Sequence, residues 1–325
     1  MIRAALHGWM LPRPVLVKAT TLVAMAVAPA VVGAAVLPLA LVATFLIGVS
    51  AGFAISIVTT SRMTMVLAVV YGIAGAAGIA VGANAVAAGL ATATASLLVA
   101  PAAERGFGQA LTMAPIVVVI AAFGVLGRDP ALALLGIPAG IVWMTFVTRV
   151  HAIRIAPAPM DRRVAWVYGL GLAIAAGAAT GLAIALDLSH GYWLVLTLAV
   201  TLQPMPAEST GQVRDRVLGT MLGALLGVAA GAVIAPWLVV AAVLIAAILG
   251  IAYSVVGDNV RGVALTTLML VLAIAAATGT STIDVALLRL AWTVVGGAFV
   301  LLAALVVKRL SSPDAVTVGI AGGTT

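Results

Sequence analysis

Runs of about 20 apolar residues follow one another through this chain with pauses of only a few residues, and that is the length a helix needs to cross ~30 Å of hydrocarbon. Hydrophobic residues make up 64% of the 325 and charged residues only 8%, against roughly 25% charged in a soluble domain, so a soluble fold is excluded. Closed barrels, the other spanning solution, alternate apolar and polar residues over short strands, and no such alternation is visible. The expected fold class is therefore all-α, a polytopic transmembrane helical bundle. Turn and charge signals place its helices near 19–36, 37–58, 64–82, 84–101, 110–127, 131–149, 164–186, 191–204, 217–235, 236–255, 261–279 and 285–307, about twelve in all. The tightest hairpins fall at Val36 to Pro38, Gly82 to Asn84 and Ala235-Pro236.

The net charge of +7 matters less than where the cations stand. With the amino terminus inside, Arg3, Arg13, Lys18, Arg62, Arg105, Arg149, Arg154, Arg162, Arg163, Arg214, Arg216, Arg261, Lys308 and Arg309 all fall on the cytoplasmic side. Only Arg128 and Arg289 do not, a split of 14 to 2 among 16 basic residues. That asymmetry orients the bundle with both termini cytoplasmic and supports the even helix count. Ala28-Pro29-Ala30 faintly resembles a signal-peptidase site, but apolar sequence continues through it to Val36, so an uncleaved first helix is expected.

The longest polar connection divides the chain into a first six-helix half (1–150), a cytoplasmic linker (151–163), a second six-helix half (164–310) and a disordered cytoplasmic tail (311–325). Six helices per half make the halves parallel repeats about an axis along the membrane normal. No hydrophilic segment is long enough for a nucleotide-binding domain.

The chemistry-bearing residues gather in the second half. Gly219, Gly223, Gly227 and Gly231 recur every four residues, a small-residue ridge that lets a neighbouring backbone approach where lipid offers no hydrophobic drive. Arg216-x-x-x-Thr220-x-x-Gly223 recurs as Arg289-x-x-x-Thr293-x-x-Gly296, so each copy aligns a guanidinium, a hydroxyl and a gap on one helix face. Arg216 stands at a cytoplasmic helix end, where snorkelling accommodates it. Arg289 lies more than a turn inside the outer end of its helix, at a cost of at least ~2.5 kcal/mol, and such a residue faces the bundle interior or a watery cavity. Asp284 is about 140° away round the same helix, which disfavours a pair, and Asp187 is the other candidate counter-ion. Gln203-Pro204 ends a helix and frees carbonyls that need partners. Tyr192 and Trp193 fit an outer aromatic belt or a platform for a ligand ring. Pro29, Pro115 and Pro138 should kink their helices, and Asp258 should pair with Arg261.

Cysteine is absent, so disulfides and thiolate metal sites are excluded. There is no G-x-x-x-x-G-K-[ST] and no G-x-S-x-G, and His7, His151 and His190 have no metal-site spacing. No enzyme, cofactor, metal or nucleic-acid partner is expected.

Tyr192-Trp193, Leu196-Thr197, Gln203-Pro204 and Arg216-Val217-Leu218-Gly219-Thr220-x-x-Gly223-Ala224 together resemble the fusaric acid resistance and aromatic acid exporter family of integral membrane proteins. Arg289, Thr293 and Gly296 are similar to the pattern that opens the last helix of that family's six-helix unit. The resemblance covers about forty residues closely and residues 164 to 309 loosely. It implies a permease in a bacterial plasma membrane for a small organic anion, an aromatic carboxylate in the first instance, with a homodimer as a further possibility. Arg289 and Arg216 would draw the anion, Thr293, Thr220 and Gln203 would orient it, and Trp193 or Tyr192 would hold its ring. Asp187 or Asp284 would carry any proton coupling. The chain departs from the family in lacking a large cytoplasmic domain, and its first half lacks both motifs.

Two alternatives stand beside this reading. A major-facilitator-type transporter also has twelve helices, but its loop between the second and third reads Gly-x-x-x-Asp-Arg-x-Gly-Arg-Arg, where this chain has Thr59-Thr60-Ser61-Arg62-Met63. A non-transporting scaffold would leave Arg289 without a water-accessible cavity.

Overall fold

The computed structural model describes residues 11–202 and 206–311, so Gln203 lies outside the described residues. Twelve helical segments fill these ranges, with no strand among the described residues. In chain order they are α1 (Arg13–Gly33), α2 (Leu39–Ser56), α3 (Ser61–Val81), α4 (Ala85–Glu104), α5 (Gly108–Ala122), α6 (Pro130–Val150), α7 (Arg162–Ala185), α8 (Tyr192–Thr201), α9 (Pro206–Val233), α10 (Pro236–Val255), α11 (Asn259–Thr278) and α12 (Thr282–Ser311). Ten are long and apolar enough to span a bilayer. The other two, α5 and α8, are about 22 and 15 Å long at 1.5 Å per residue, short of the ~30 Å of hydrocarbon.

Local chemistry explains the boundaries. Thr60, Asn84, Asp129, Asp161 and Asp258 each accept a first-turn amide of the helix they precede, as capping residues do. The interruption of α4 at Leu98 and that of α5 at Thr112 each fall three residues before a proline, Pro101 and Pro115. Proline has no N–H for the carbonyl four residues back and its ring crowds that turn, which accounts for both breaks. Pro29 and Pro138 lie inside α1 and α6.

Packing repeats between the halves. In α3, Gly75 and Gly78 meet Val117 and Val118 of α5, and in α9, Gly219, Gly223 and Gly227 meet Val263, Ala264 and Val271 of α11. Both pairs run parallel, with nearly the same offset in sequence. The antiparallel pair α3·α6, where Gly72 meets Pro138 and Gly75 meets Ile137, recurs as α9·α12, where Gly231 meets Thr282 and Gly297 meets Val213. The parallel pair α2·α6 recurs as α8·α12, and α4·α5 recurs as α10·α11. Finally α4 packs on α7 through Gly89, Gly177 and Gly181, while α10 packs on α1, so the fourth helix of each half leans on the first helix of the other.

Across the base, the linker is tied to the first half: the Ile155 amide donates to the Ile57 carbonyl at 2.7 Å and that of Met160 to Ala103 at 3.1 Å. Asp258 pairs with Arg261 at 3.0 Å, as their spacing suggests.

Candidate functional site

Three helices bring the sequence-selected residues of the second half together. From α12, Arg289 is 2% exposed and Thr293 fully buried; from α9 comes buried Thr220, with Arg216 half-buried; from α8 come Trp193, 2% exposed, and buried Thr197. The Arg289 guanidinium lies over the Trp193 ring with 5.2 Å between its central carbon and the ring centroid, within cation–π range. Arg216 lies near enough for its charge to act on Arg289.

What the cluster lacks is a counter-charge. The two ion pairs among the described residues are Arg214–Asp215 and Arg261–Asp258, and neither involves this cluster. Nε of Arg216, Nε and Nη1 of Arg289, and the hydroxyls of Thr197 and Thr220 are sealed from solvent without a hydrogen-bond partner. Thr293 has one, donating to the Arg289 carbonyl at 2.9 Å. Each unsatisfied buried group costs about 1–3 kcal/mol, more if charged, so five such atoms on three helices form a costly polar cluster in an apolar bundle. All five are donors, or hydroxyls that can donate, which suits an anion with several acceptor oxygens.

Glycine sets the width of the site. A Cβ at Gly296 would stand 2.8 Å from the Thr197 side chain, so α12 touches α8 at that level, while one turn or two above it Trp193 and Arg289 hold the helices apart. On the other flank, a Cβ at Gly219 would stand 2.7 Å from the Val260 carbonyl and one at Gly223 would strike that of Ala264, so α9 lies directly on the backbone of α11. Further along α9, Gly227 meets the Val271 side chain of α11 and Gly231 the Thr282 side chain of α12.

The turn between α7 and α8 lies beside this site. Trp292 Nε1 donates to the Ser189 carbonyl at 3.1 Å and so ties the turn to α12, while Asp187 and Ser189 on it are exposed. Both Asp187 and His190 adopt left-handed backbone, φ 49° and 57°, conformations strained for non-glycine residues. The His190 ring stands 5.3 Å from that of Trp193 and 5.8 Å from that of Tyr192, and its Nδ1 is 2.8 Å from the Ser189 hydroxyl. Half-buried Tyr192 meets Phe123 and Trp193 edge-on. Tyr192 and Trp193 thus sit within the bundle.

The two acidic candidates lie elsewhere. Asp284 is exposed in the first turn of α12 and accepts from the Ser281 hydroxyl at 2.9 Å; neither it nor Asp187 forms an ion pair with Arg289. His190 and the orphaned Thr197 were not selected from sequence. Thr197 could have been, because it stands one helical turn from Trp193 on the face that carries the aromatic platform.

Residues 172–303 match the fusaric acid resistance protein-like family. The matched segment contains the whole cluster and begins within α7, so the second half carries the family's signature over most of its six helices. The match supports a multi-pass membrane protein with a transporter or exporter kind of function. No curated protein and no solved structure matches the chain.

Proposed function

We propose that the protein is a permease for organic anions, with aromatic carboxylates as its substrates, in a bacterial plasma membrane. The observation that carries this reading is the set of five buried, unpartnered polar atoms on Arg216, Thr220, Arg289 and Thr197 beside the Trp193 ring. A carboxylate would satisfy the guanidinium N–H groups and accept from the hydroxyls, and its ring would slide against Trp193 or Tyr192. Gln203, near the foot of α8 in sequence, would add a side-chain amide to the path. A charged site of this kind is expensive without its guest, so binding and release of the anion are differences between two unfavourable states, which suits passage better than storage. Basic residues crowd the opposite end of the bundle, which we assign to the cytoplasm, so the α7–α8 turn faces outward.

The test is flux in proteoliposomes with benzoate, a pyridine carboxylate and acetate, with and without a pH gradient. Aromatic acids are expected to cross faster than acetate, and Arg289→Ala to abolish their flux while the protein inserts at normal yield. Arg289→Ala flux equal to that of the unmodified protein would refute the site. Labelling of an Arg289→Cys variant by an outside thiol reagent is expected as well, because the path must be wet; a scaffold would leave that thiol unreactive.

A further inference from the structure

His190 stands where a proton and the anion would meet. Its ring stands 5.3 Å from Trp193, and Trp193 in turn carries the Arg289 guanidinium at 5.2 Å. Its turn is pinned to α12 by the bond from Trp292 to Ser189. The groups around it are few. Arg289 from α12 lies over the Trp193 ring, the Tyr192 phenol lies beside the imidazole at the head of α8, Phe123 just past α5 meets Tyr192, and Asp187 is exposed on the same turn. Among the described residues no carboxylate lies within ion-pair distance of the imidazole. Partial burial lowers the His190 pKa.

Resting on the permease reading above, we propose that His190 is the proton-accepting partner of the anion held at Arg289. While the site is empty, a proton on the imidazole would add a second cation beside one Trp193 ring that already faces an uncompensated guanidinium. Once a carboxylate sits against Arg289, that charge is cancelled and the imidazole can take a proton from water, and an aromatic face also favours a cation. Binding of the anion thus favours binding of the proton, and the reverse must hold by the same factor. Neither event makes or breaks a covalent bond other than N–H; the proton arrives from water and leaves to water. Anion and proton then move as a neutral pair, with His190 as the positioning residue for the proton and Arg289 as that for the anion.

The test uses the tryptophan that the histidine touches, since an imidazolium quenches an adjacent indole and a neutral ring does so weakly. The full chain in detergent is titrated from pH 8 to pH 4.5, with His190→Phe subtracted to remove the five other tryptophans. A quench with a midpoint below the usual histidine value of about 6.5 is expected in the unmodified protein and is lost in His190→Phe. Benzoate at saturating concentration should raise that midpoint by about one pH unit, the size expected of an opposite charge a few ångströms away, and should leave it unmoved in Arg289→Met. His190→Gln serves as a second baseline if the phenylalanine variant folds poorly. An unmoved midpoint with benzoate in the unmodified protein overturns the pairing, whatever the flux assay gives. A shift that appears without any benzoate flux would sustain the His190–Arg289 coupling and sink the permease reading instead.

Discussion

Replacing Arg289 by methionine separates a binding residue from a structural one, because the two roles predict opposite changes in stability. Holding the guanidinium inside the bundle costs at least ~2.5 kcal/mol, and stacking on Trp193 returns about 0.5–2 kcal/mol. Nε and Nη1 return nothing, having no partner. Methionine keeps the length of the side chain and packs against Trp193 through a sulfur–aromatic contact, and the bond from Thr293 to the carbonyl of residue 289 is unaffected. Arg289→Met should therefore stabilise the fold by about 1–2 kcal/mol and raise its melting point by a few degrees. Anion passage should move the other way. Losing a buried charge–charge contact costs about 2–5 kcal/mol, on the order of 30- to 3000-fold in affinity. The assay is thermal unfolding in detergent beside benzoate flux on one protein preparation. A fall in melting point of more than about 5 °C, with flux lost in proportion, would show that Arg289 holds the fold together and would refute the reasoning.

Three further outcomes follow from the same geometry. Thr197→Val and Thr220→Val remove buried hydroxyls that lack a partner, so each should be neutral or stabilising by up to about 1 kcal/mol while weakening benzoate binding, measured by melting and by flux competition. Gly223→Ala places a methyl against the Ala264 carbonyl and should destabilise by about 1–3 kcal/mol, whereas Gly171→Ala, with nothing within 4 Å, should stabilise by about 0.5–1 kcal/mol; paired melting curves decide it. Trp193→Phe keeps an aromatic face under Arg289 and should retain flux that Trp193→Leu loses, so equal flux in the two would remove the platform from the path.

The bundle was legible because lipid makes a stringent reader of sequence: helix after helix of apolar residues admits few other folds. One boundary differs: α9 begins at Pro206 and not near 217, because its polar first turns are helical too; Arg216 therefore lies ten residues inside the helix with Nε buried, and not at a helix end. The stripe of Arg216, Thr220, Arg289 and Thr293 was legible too, since helical periodicity alone puts each trio on one face. Three things were not. Apolar composition looks the same in a full span and in the 10 residues of α8, and only contacts show that the turn before it is tied to α12. His190 reads as an isolated loop residue until α7 and α8 are packed, when its left-handed backbone turns the ring onto Trp193. Asp284 stands five residues from Arg289 on one helix and Asp187 at the outer end of α7, yet neither position brings the carboxylate to the guanidinium: Asp284 accepts from Ser281 at the helix start and Asp187 is exposed.

The repeat in the packing gives the site its context, because the two halves use equivalent seams differently. Between α2 and α6, a Cβ at Gly136 would strike Thr44, one at Gly140 would strike the Phe45 carbonyl, one at Gly48 the Ile137 carbonyl, and one at Gly52 would stand 2.8 Å from Ile141, so backbone lies on backbone along the whole contact. Between α8 and α12, the recurrent pair, glycine supports a single close approach at Gly296, and above it an indole and a guanidinium take up the space. In the glycine seam the hydroxyl of Thr44 is satisfied by the Leu132 carbonyl, whereas the seam between Trp193 and Arg289 keeps guanidinium N–H groups without a partner. The first half therefore serves as the rigid wall on which α7 and α8 are hung, through the glycines of α4 and α7 and through Phe123 beneath Tyr192. The same packing pairs thus recur in both halves, while the buried guanidinium with unpartnered N–H groups stands in the second alone among the described residues.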